Sequence, residues 1–286
     1  MKKDIDTSDL FKRKKAKEQT KGGLSTGSTL LNLACTGRPN VGLVRGCYYN
    51  FTGDSESGKT FLGLTIMAEA SISPEYKHYR LRLNQPEHGA KMDFAYFFGD
   101  KMANKLETVA SSTVEEFYYD VDNALKEKIP FIYLLDSMDA LTSTDEQDTY
   151  EENKKLVEKG KEAKGSYGTA KAKRNSSDLR VVTNKLADTG SILLMISQTR
   201  ANIGFTSKFK PKTRSGGNAL RFYATNELWT SIKERLTKRV RGKERETGIV
   251  MKVKVEKNRL NGRHRTVEIP IHYDTGLDDI GSCVLF

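Results

Sequence analysis

The chain has 286 residues, of which 37% are hydrophobic and 30% charged, and carries a formal net charge of +11. That length can bury a sizeable core as one large domain or two small ones, and no apolar run nears the roughly 20 residues that an α-helical membrane span needs. Three well-separated cysteines without a C-x-x-C pattern, and four histidines without ligand spacing, argue against a disulfide scaffold or a zinc module, while the basic balance suits a polyanion, nucleic acid first.

Residues 1–23 form a basic N-terminal arm, exposed or folded as a single helix, around Phe11-Lys12-Arg13-Lys14-Lys15-Ala16-Lys17. Met1-Lys2-Lys3-Asp4-Ile5-Asp6 lacks the apolar core of a signal peptide, so the expected location is the cytoplasm, with reduced thiols and no membrane association. Residues 24–286 read as one core. From Ser25 to about Ser197, apolar strands at 47–51, 93–98, 130–135 and 191–197 alternate with amphipathic helices. That alternation predicts an α/β fold with a mostly parallel central sheet flanked by helices. After Glu227 a period of two over 227–232, 249–256 and 266–271 predicts a C-terminal antiparallel extension, with 233–241 as a basic hairpin tip.

The stretch Gly53-Asp54-Ser55-Glu56-Ser57-Gly58-Lys59-Thr60 fits G-x-x-x-x-G-K-[ST], between a strand and a helix. The glycines let successive N–H groups face a phosphate, Lys59 brings a charge to the β- and γ-phosphates, and the Thr60 hydroxyl can ligate Mg²⁺. The run Phe131-Ile132-Tyr133-Leu134-Leu135 ends in Asp136, a second candidate for the Mg²⁺ shell. Hydrolysis also needs a group that orients or deprotonates water. Asp100, at the end of the predicted strand 93–98, is the candidate, with a helix N-cap as its alternative role. Gln198, at the end of the strand 191–197, is placed to sense the γ-phosphate. Two long polar segments, 142–178 and 199–217, read as irregular loops, the first acidic then basic, the second basic and ending at Gly216-Gly217.

With these residues in view, the chain resembles the RecA-type recombinases of bacteria and phages. The resemblance spans about residues 24–275 and rests on four blocks: Leu24-Ser25-Thr26-Gly27-Ser28 with Leu31; Gly53–Thr60; Asp136-Ser137-Met138-Asp139-Ala140-Leu141; and Ile196-Ser197-Gln198-Thr199-Arg200 with Ile203-Gly204 and Gly216-Gly217-Asn218-Ala219-Leu220-Arg221-Phe222-Tyr223-Ala224. The resemblance implies an ATPase core using ATP and Mg²⁺, assembled head to tail as a helical filament, or alternatively a ring, on single-stranded DNA, and promoting pairing and strand exchange with homologous duplex DNA. It implies that Asp100 stands for the family's catalytic glutamate and Gln198 for its nucleotide-sensing glutamine. Lys257 and Arg259 would reach a neighbour's phosphates. The two polar segments would be the DNA loops, with Tyr167, Gly168, Lys173, Arg174 and Arg180 from the first and its flank. Arg200, Ile203, Phe205, Lys208, Lys210, Lys212, Arg214, Gly216, Gly217 and Asn218 would come from the second. Three departures stand out: Asp100 is one methylene short of glutamate, the adenine-stacking tyrosine has no counterpart in Asn104-Lys105-Leu106-Glu107, and nothing follows Phe286 to form the C-terminal domain of bacterial members, which makes the chain look phage-like. A hexameric helicase and a weakly hydrolysing regulatory paralogue are the alternative functions.

Overall fold

The computed structural model describes residues 22–87, 92–159, 161–162, 170–201, 212–214 and 217–285. The arm expected over 1–23 therefore lies outside the described residues except for Gly22 and Gly23. In chain order the elements begin with α1 (Thr29–Thr36), β1 (Tyr48–Gly53), α2 (Lys59–Ile72), β2 (Arg80–Asn84), α3 (Phe94–Phe98), α4 (Asp100–Lys105) and β3 (Leu106–Val109). There follow α5 (Val114–Lys126), β4 (Phe131–Leu135), α6 (Thr144–Glu158), α7 (Ala170–Thr189), β5 (Ile192–Ala201), β6 (Lys212–Arg214) and α8 (Ala219–Tyr223). The chain closes with β7 (Asn226–Val240), β8 (Lys243–Asn258), β9 (Thr266–His272), β10 (Gly276–Leu277) and α9 (Asp279–Leu285).

The strands form one sheet in the order β10-β9-β8-β7-β1-β5-β4-β2-β3, with β6 paired to β5 alone. From β7 to β3 the neighbours run parallel; β8, β9 and β10 add antiparallel. β1 and β4 are buried at every residue, as strands covered on both faces must be. One apolar cluster joins one face of the sheet to α1 and α2, through Leu31, Phe51, Leu64 and Leu134. The other joins the opposite face to α5, α7 and α8, through Phe117, Tyr133, Leu186 and Leu220. The carboxyl ends of β1, β5 and β4 consequently open side by side at one edge, where a doubly wound sheet presents its ligands.

Three expectations are corrected, and two strands that none of them named join the sheet. Residues 93–98 are not a strand: Asp93 accepts the N–H of Tyr96 at 3.0 Å and starts α3, and Gly99 ends it. The aromatic run suggested β structure, yet a side-chain cap decided otherwise. The strands that do occupy this part of the sheet, β2 and β3, escaped notice because Arg80 and Arg82 of β2 interrupt its apolar pattern; both are ion-paired, to Glu107 and Glu127 and to Glu107 and Asp120 respectively. The described residues of the polar segment 142–178 are largely helical, for Ser143 and Glu146 form a capping box that starts α6, and α7 begins at Ala170. The basic stretch 233–241 does belong to a hairpin, but nearly all of it is paired strand, the outer half of a β7–β8 ribbon that reaches Val240 and Lys243, rather than its tip.

The last helix is held from a distance. Asp279 accepts the N–H of Thr29 at 2.6 Å and its hydroxyl at 2.7 Å, which satisfies an orphan donor at the start of α1. Asp279→Ala is expected to lower the unfolding free energy by about 1 kcal/mol in urea titrations, the usual cost of losing such a cap.

Candidate active site

Gly58 sits at φ 85°, the left-handed conformation that glycine adopts freely, and from it α2 begins at Lys59. The turn buries Lys59, whose ammonium donates to the carbonyls of Gly53 at 3.0 Å and of Asp54. Ser57 donates to the Asp54 carbonyl at 2.7 Å and meets the Thr230 hydroxyl of β7 at 2.7 Å, which locks the loop to the sheet. Ser55 and Glu56 stay exposed at the loop's outer turn.

Thr60 donates from its hydroxyl to Asp136 Oδ2 at 2.6 Å. Asp136 directly follows β4, and its N–H donates to the Asn84 carbonyl of β2 at 2.9 Å. Its neighbour Ser137 donates to Glu87 Oε1 at 2.9 Å. A cavity of about 400 Å³ is lined by Ser55, Glu56, Lys59, Thr60, Glu87, Met92, Asp136, Ser137, Ile196 and Gln198. Burial lowers the Lys59 pKa, opposed by the carboxylates of Asp136, Asp54, Asp139 and Glu87. Burial raises the Asp136 pKa, opposed by the Thr60 hydroxyl, reinforced by Glu87 and opposed again by Lys59. An adjacent hydroxyl and carboxylate make an all-oxygen pair that fits Mg²⁺.

In the second half of β5 the backbone N–H of Gln198 donates to Asp139 Oδ2 at 2.6 Å, and the Thr199 hydroxyl donates to Asp54 Oδ1. Gln198 is thus brought beside Lys59, Thr60 and Asp136, as expected. Asp100 is not. It is the exposed first residue of α4, outside the cavity lining, while Glu87 occupies that lining instead. Glu87 was missed because it follows β2, the unrecognised strand; the period-two Leu81 and Leu83 before Gln85-Pro86 were the available signal.

A second missed residue is Tyr96. It is 67% exposed on α3, and the adjoining Phe97 and Phe98 pack on Phe61 of α2, with ring centroids 6.1 and 5.0 Å away. An open aromatic ring beside the helix that follows the phosphate loop is the kind of surface a base can stack on. Asn104–Glu107, by contrast, end α4 and open β3.

Lys257 and Arg259 stand apart from the cavity. Lys257 donates to the carbonyls of Arg221 and Phe222 (2.8 Å to the latter), and Arg259 donates to the Phe222 carbonyl at 2.7 Å, at the end of α8. Of the residues expected on DNA, Lys173, Arg174 and Arg180 lie on α7. Lys173 is exposed, Arg174 is paired with Asp178 at 2.6 Å, and Arg180 donates to the Tyr223 hydroxyl at 3.2 Å. Arg200 is exposed on β5; Lys212 and Arg214 lie on β6, which pairs antiparallel with β5. Gly217 has φ 86°, and a Cβ there would come within 2.8 Å of the Ala172 side chain, so the second segment ends tightly against α7. Asn218 precedes α8 as its N-terminal flank. Tyr167, Gly168, Ile203, Phe205, Lys208, Lys210 and Gly216 lie outside the described residues.

The family model described as the RecA N-terminal domain matches residues 2–278. The Protein RecA of Synechococcus sp. strain CC9311 is 32% identical over 262 residues, which cover 92% of this chain and 62% of that protein. That of Prochlorococcus marinus strain NATL1A is 30% identical over 262 residues, with coverage of 92% and 62%. That of Rippkaea orientalis is 29% identical over 266 residues, with coverage of 92% and 68%. The chain spans about three fifths of the length of the first two of these relatives.

Two outcomes follow from the geometry. In steady-state ATP hydrolysis, Glu87→Gln should lower kcat by about 10²-fold or more, the scale of a lost acid–base group, whereas Asp100→Asn should hydrolyse at the parental rate. The second concerns stability. The Asp136 carboxyl titrates higher in the folded chain than its ordinary value of 3.8, so its ionised form opposes folding, a cost that sets in as pH rises above that value and is absent below it. Asp136→Asn should therefore melt above the parent at pH 7 without nucleotide, and the gap should close as the pH falls towards 4 in calorimetry.

Proposed function

Because the chain belongs to the RecA family, whose N-terminal domain model it matches over nearly its whole length, we propose that it is a DNA-dependent ATPase that assembles head to tail as a helical filament on single-stranded DNA and promotes pairing and strand exchange with homologous duplex DNA. The observation that carries this reading is the contact of 2.6 Å between the Thr60 hydroxyl and Asp136, flanked by Lys59, Glu87 and Gln198. Lys59 leaves the Gly53 and Asp54 carbonyls to face the β- and γ-phosphates of ATP. Glu87, steadied by Ser137, accepts a hydrogen bond from the attacking water and aligns it with the γ-phosphorus. Mg²⁺ held by Thr60 and Asp136 would neutralise charge on the transferring phosphoryl group. Tyr96 gives the adenine a stacking platform, and Gln198 meets the γ-phosphate.

The lining of the cavity supports a composite site. Among the described residues that lining holds one cation, Lys59, against the carboxylates of Glu56, Glu87 and Asp136, with Asp54 and Asp139 also acting on Lys59. A triphosphate in such surroundings calls for further positive charge, which Lys257 and Arg259 of an adjoining copy supply. Contact between unlike surfaces of identical chains builds an open helix, or a ring where the rotation closes, rather than an isologous dimer. The case for a weakly hydrolysing paralogue drew on Asp100 being a short carboxylate, and Glu87 removes that ground. DNA is held through its backbone by the segment 199–217, which contains β6 and precedes α8, and by the α7 face carrying Lys173.

Strand exchange between single-stranded DNA and homologous duplex, in the presence of ATP, tests the whole reading; no joint molecules from a folded, ATP-binding protein would overturn it. Lys59→Ala should abolish hydrolysis. Its mixture with Lys257→Ala/Arg259→Ala subunits should regain part of it, since mixed interfaces pair one intact loop with one intact basic pair. Replacing Lys208, Lys210 and Lys212 together by Ala should reduce the log–log salt slope of single-strand affinity by roughly 2, at about 0.7 per phosphate contact.

A further inference from the structure

Between Lys257 and Arg259 stands Asn258, the last residue of β8 and only 8% exposed. Its Nδ2 lies within hydrogen-bond distance of the carbonyls of Ala34 (3.3 Å), Cys35 (3.1 Å) and Arg263 (3.0 Å) and of Asn261 Oδ1 (2.8 Å). Its Oδ1 accepts the N–H groups of Leu260 at 2.9 Å and Asn261 at 3.2 Å. Ala34 and Cys35 belong to the last turn of α1, whose carbonyls have no partner within the helix. One amide side chain therefore ties the end of β8 to the end of α1 and closes the turn beyond it. Successive residues of a strand point to opposite faces. Asn258 faces α1, and the flanking cations both reach the end of α8.

We propose that Asn258 is a positioning residue for ATP hydrolysis at the neighbouring copy's phosphate loop. It fixes the root from which Lys257 and Arg259 reach the triphosphate. The inference rests on the composite-site reading above. Both cations have long flexible stems, so a strand end free to fray would leave them anywhere within several ångströms. A misplacement of about 1 Å can cost on the order of 10²-fold in rate. A main-chain hydrogen bond, Arg259 N–H to the Thr225 carbonyl at 3.0 Å, pairs this end with the start of β7. The side chain of Asn258 supplies the anchor on the other side. Asn258 is buried against the end of α1 and is not among the residues that line the Lys59 cavity, so its removal should affect turnover and leave the Lys59 loop able to bind ATP.

The decisive measurement sorts variants into complementation groups, because a merely structural role would not follow such groups. Asn258→Ala alone should lose tenfold or more in kcat for DNA-stimulated hydrolysis, while unassembled protein binds a fluorescent ATP analogue within twofold of the parent. Mixed with Lys59→Ala subunits, whose basic pair is intact, Asn258→Ala should regain activity. Mixed with Lys257→Ala/Arg259→Ala subunits it should not. Asn258→Asp keeps the acceptor for Leu260 and Asn261 but loses the donors to Ala34 and Cys35; it should fall between parent and Asn258→Ala, and it carries the same mixing test should Asn258→Ala not fold. Parental kcat in both Asn258 variants, with Lys257→Ala/Arg259→Ala inactive, overturns the positioning role alone. Rescue of Asn258→Ala by Lys257→Ala/Arg259→Ala subunits overturns it as well. Parental kcat in Lys257→Ala/Arg259→Ala overturns the composite site and, with it, this inference.

Discussion

The site depends on one hydrogen bond that reaches across a strand. Thr60 lies in the first turn of α2 beyond β1, Asp136 follows β4, and the Thr60 hydroxyl meets the Asp136 carboxylate at 2.6 Å although β5 lies between the two strands. Only a parallel arrangement, with all three strands ending at the same edge, lets a hydroxyl from one and a carboxylate from another converge over the end of the third. β5 then delivers Gln198 into the same cavity. The in-register pairing of β1 with β5, Tyr48 with Leu193 through Gly53 with Gln198, sets how far Gln198 extends past the phosphate loop. A slip of one residue would turn that side chain to the opposite face of the sheet.

Charge at this edge is arranged against the stability of the free chain. Lys59 is buried with its ammonium on main-chain carbonyls, and burial also raises the Asp136 pKa. Desolvated ions of this kind cost several kcal/mol each unless compensated. Here the compensation is local: Lys59 has the Gly53 and Asp54 carbonyls, Asp136 has Thr60, and Glu87 has Ser137. A phosphate chain with its cation would meet donors and acceptors already oriented, which is where electrostatic preorganisation does most for a reaction.

The same edge is wired to the segments that bear the basic residues. Asp139, four residues into the turn after β4, accepts the Gln198 N–H, while Lys171 of α7 donates to the carbonyls of Asp139 and Leu141. Thr199 bonds Asp54 within the phosphate loop. The phosphate loop, the end of β5 and the start of α7 thus form one hydrogen-bonded unit. A change at the phosphates has a short covalent and hydrogen-bonded route to both segments that follow, and linkage makes any such coupling reciprocal.

The residues whose roles follow from local chemistry were legible in the sequence. Gly53–Thr60 needs only its own backbone and the flanking strand and helix, Asp136 only a strand end, and both stand where the spacing implies. The parallel sheet and its antiparallel extension were likewise legible, because period and alternation are local properties. What the sequence left undecided depended on partners distant in the chain. Arg80 and Arg82 mask β2 until Glu107, Glu127 and Asp120 pair with them. Phe94–Phe98 reads as a strand until Asp93 caps it and Phe61 takes its aromatic rings. Asp100 and Glu87 are both carboxylates near an apolar run, and composition cannot rank them; only the closing of β2 against β4 brings Glu87 to Ser137 and leaves Asp100 in solvent. The sequence by itself determined the chemistry of the phosphate loop and the class of fold, since these are encoded in contiguous residues. The tertiary structure alone decided which carboxylate faces the site and where Lys257 and Arg259 are rooted, since those depend on contacts between elements far apart in the chain.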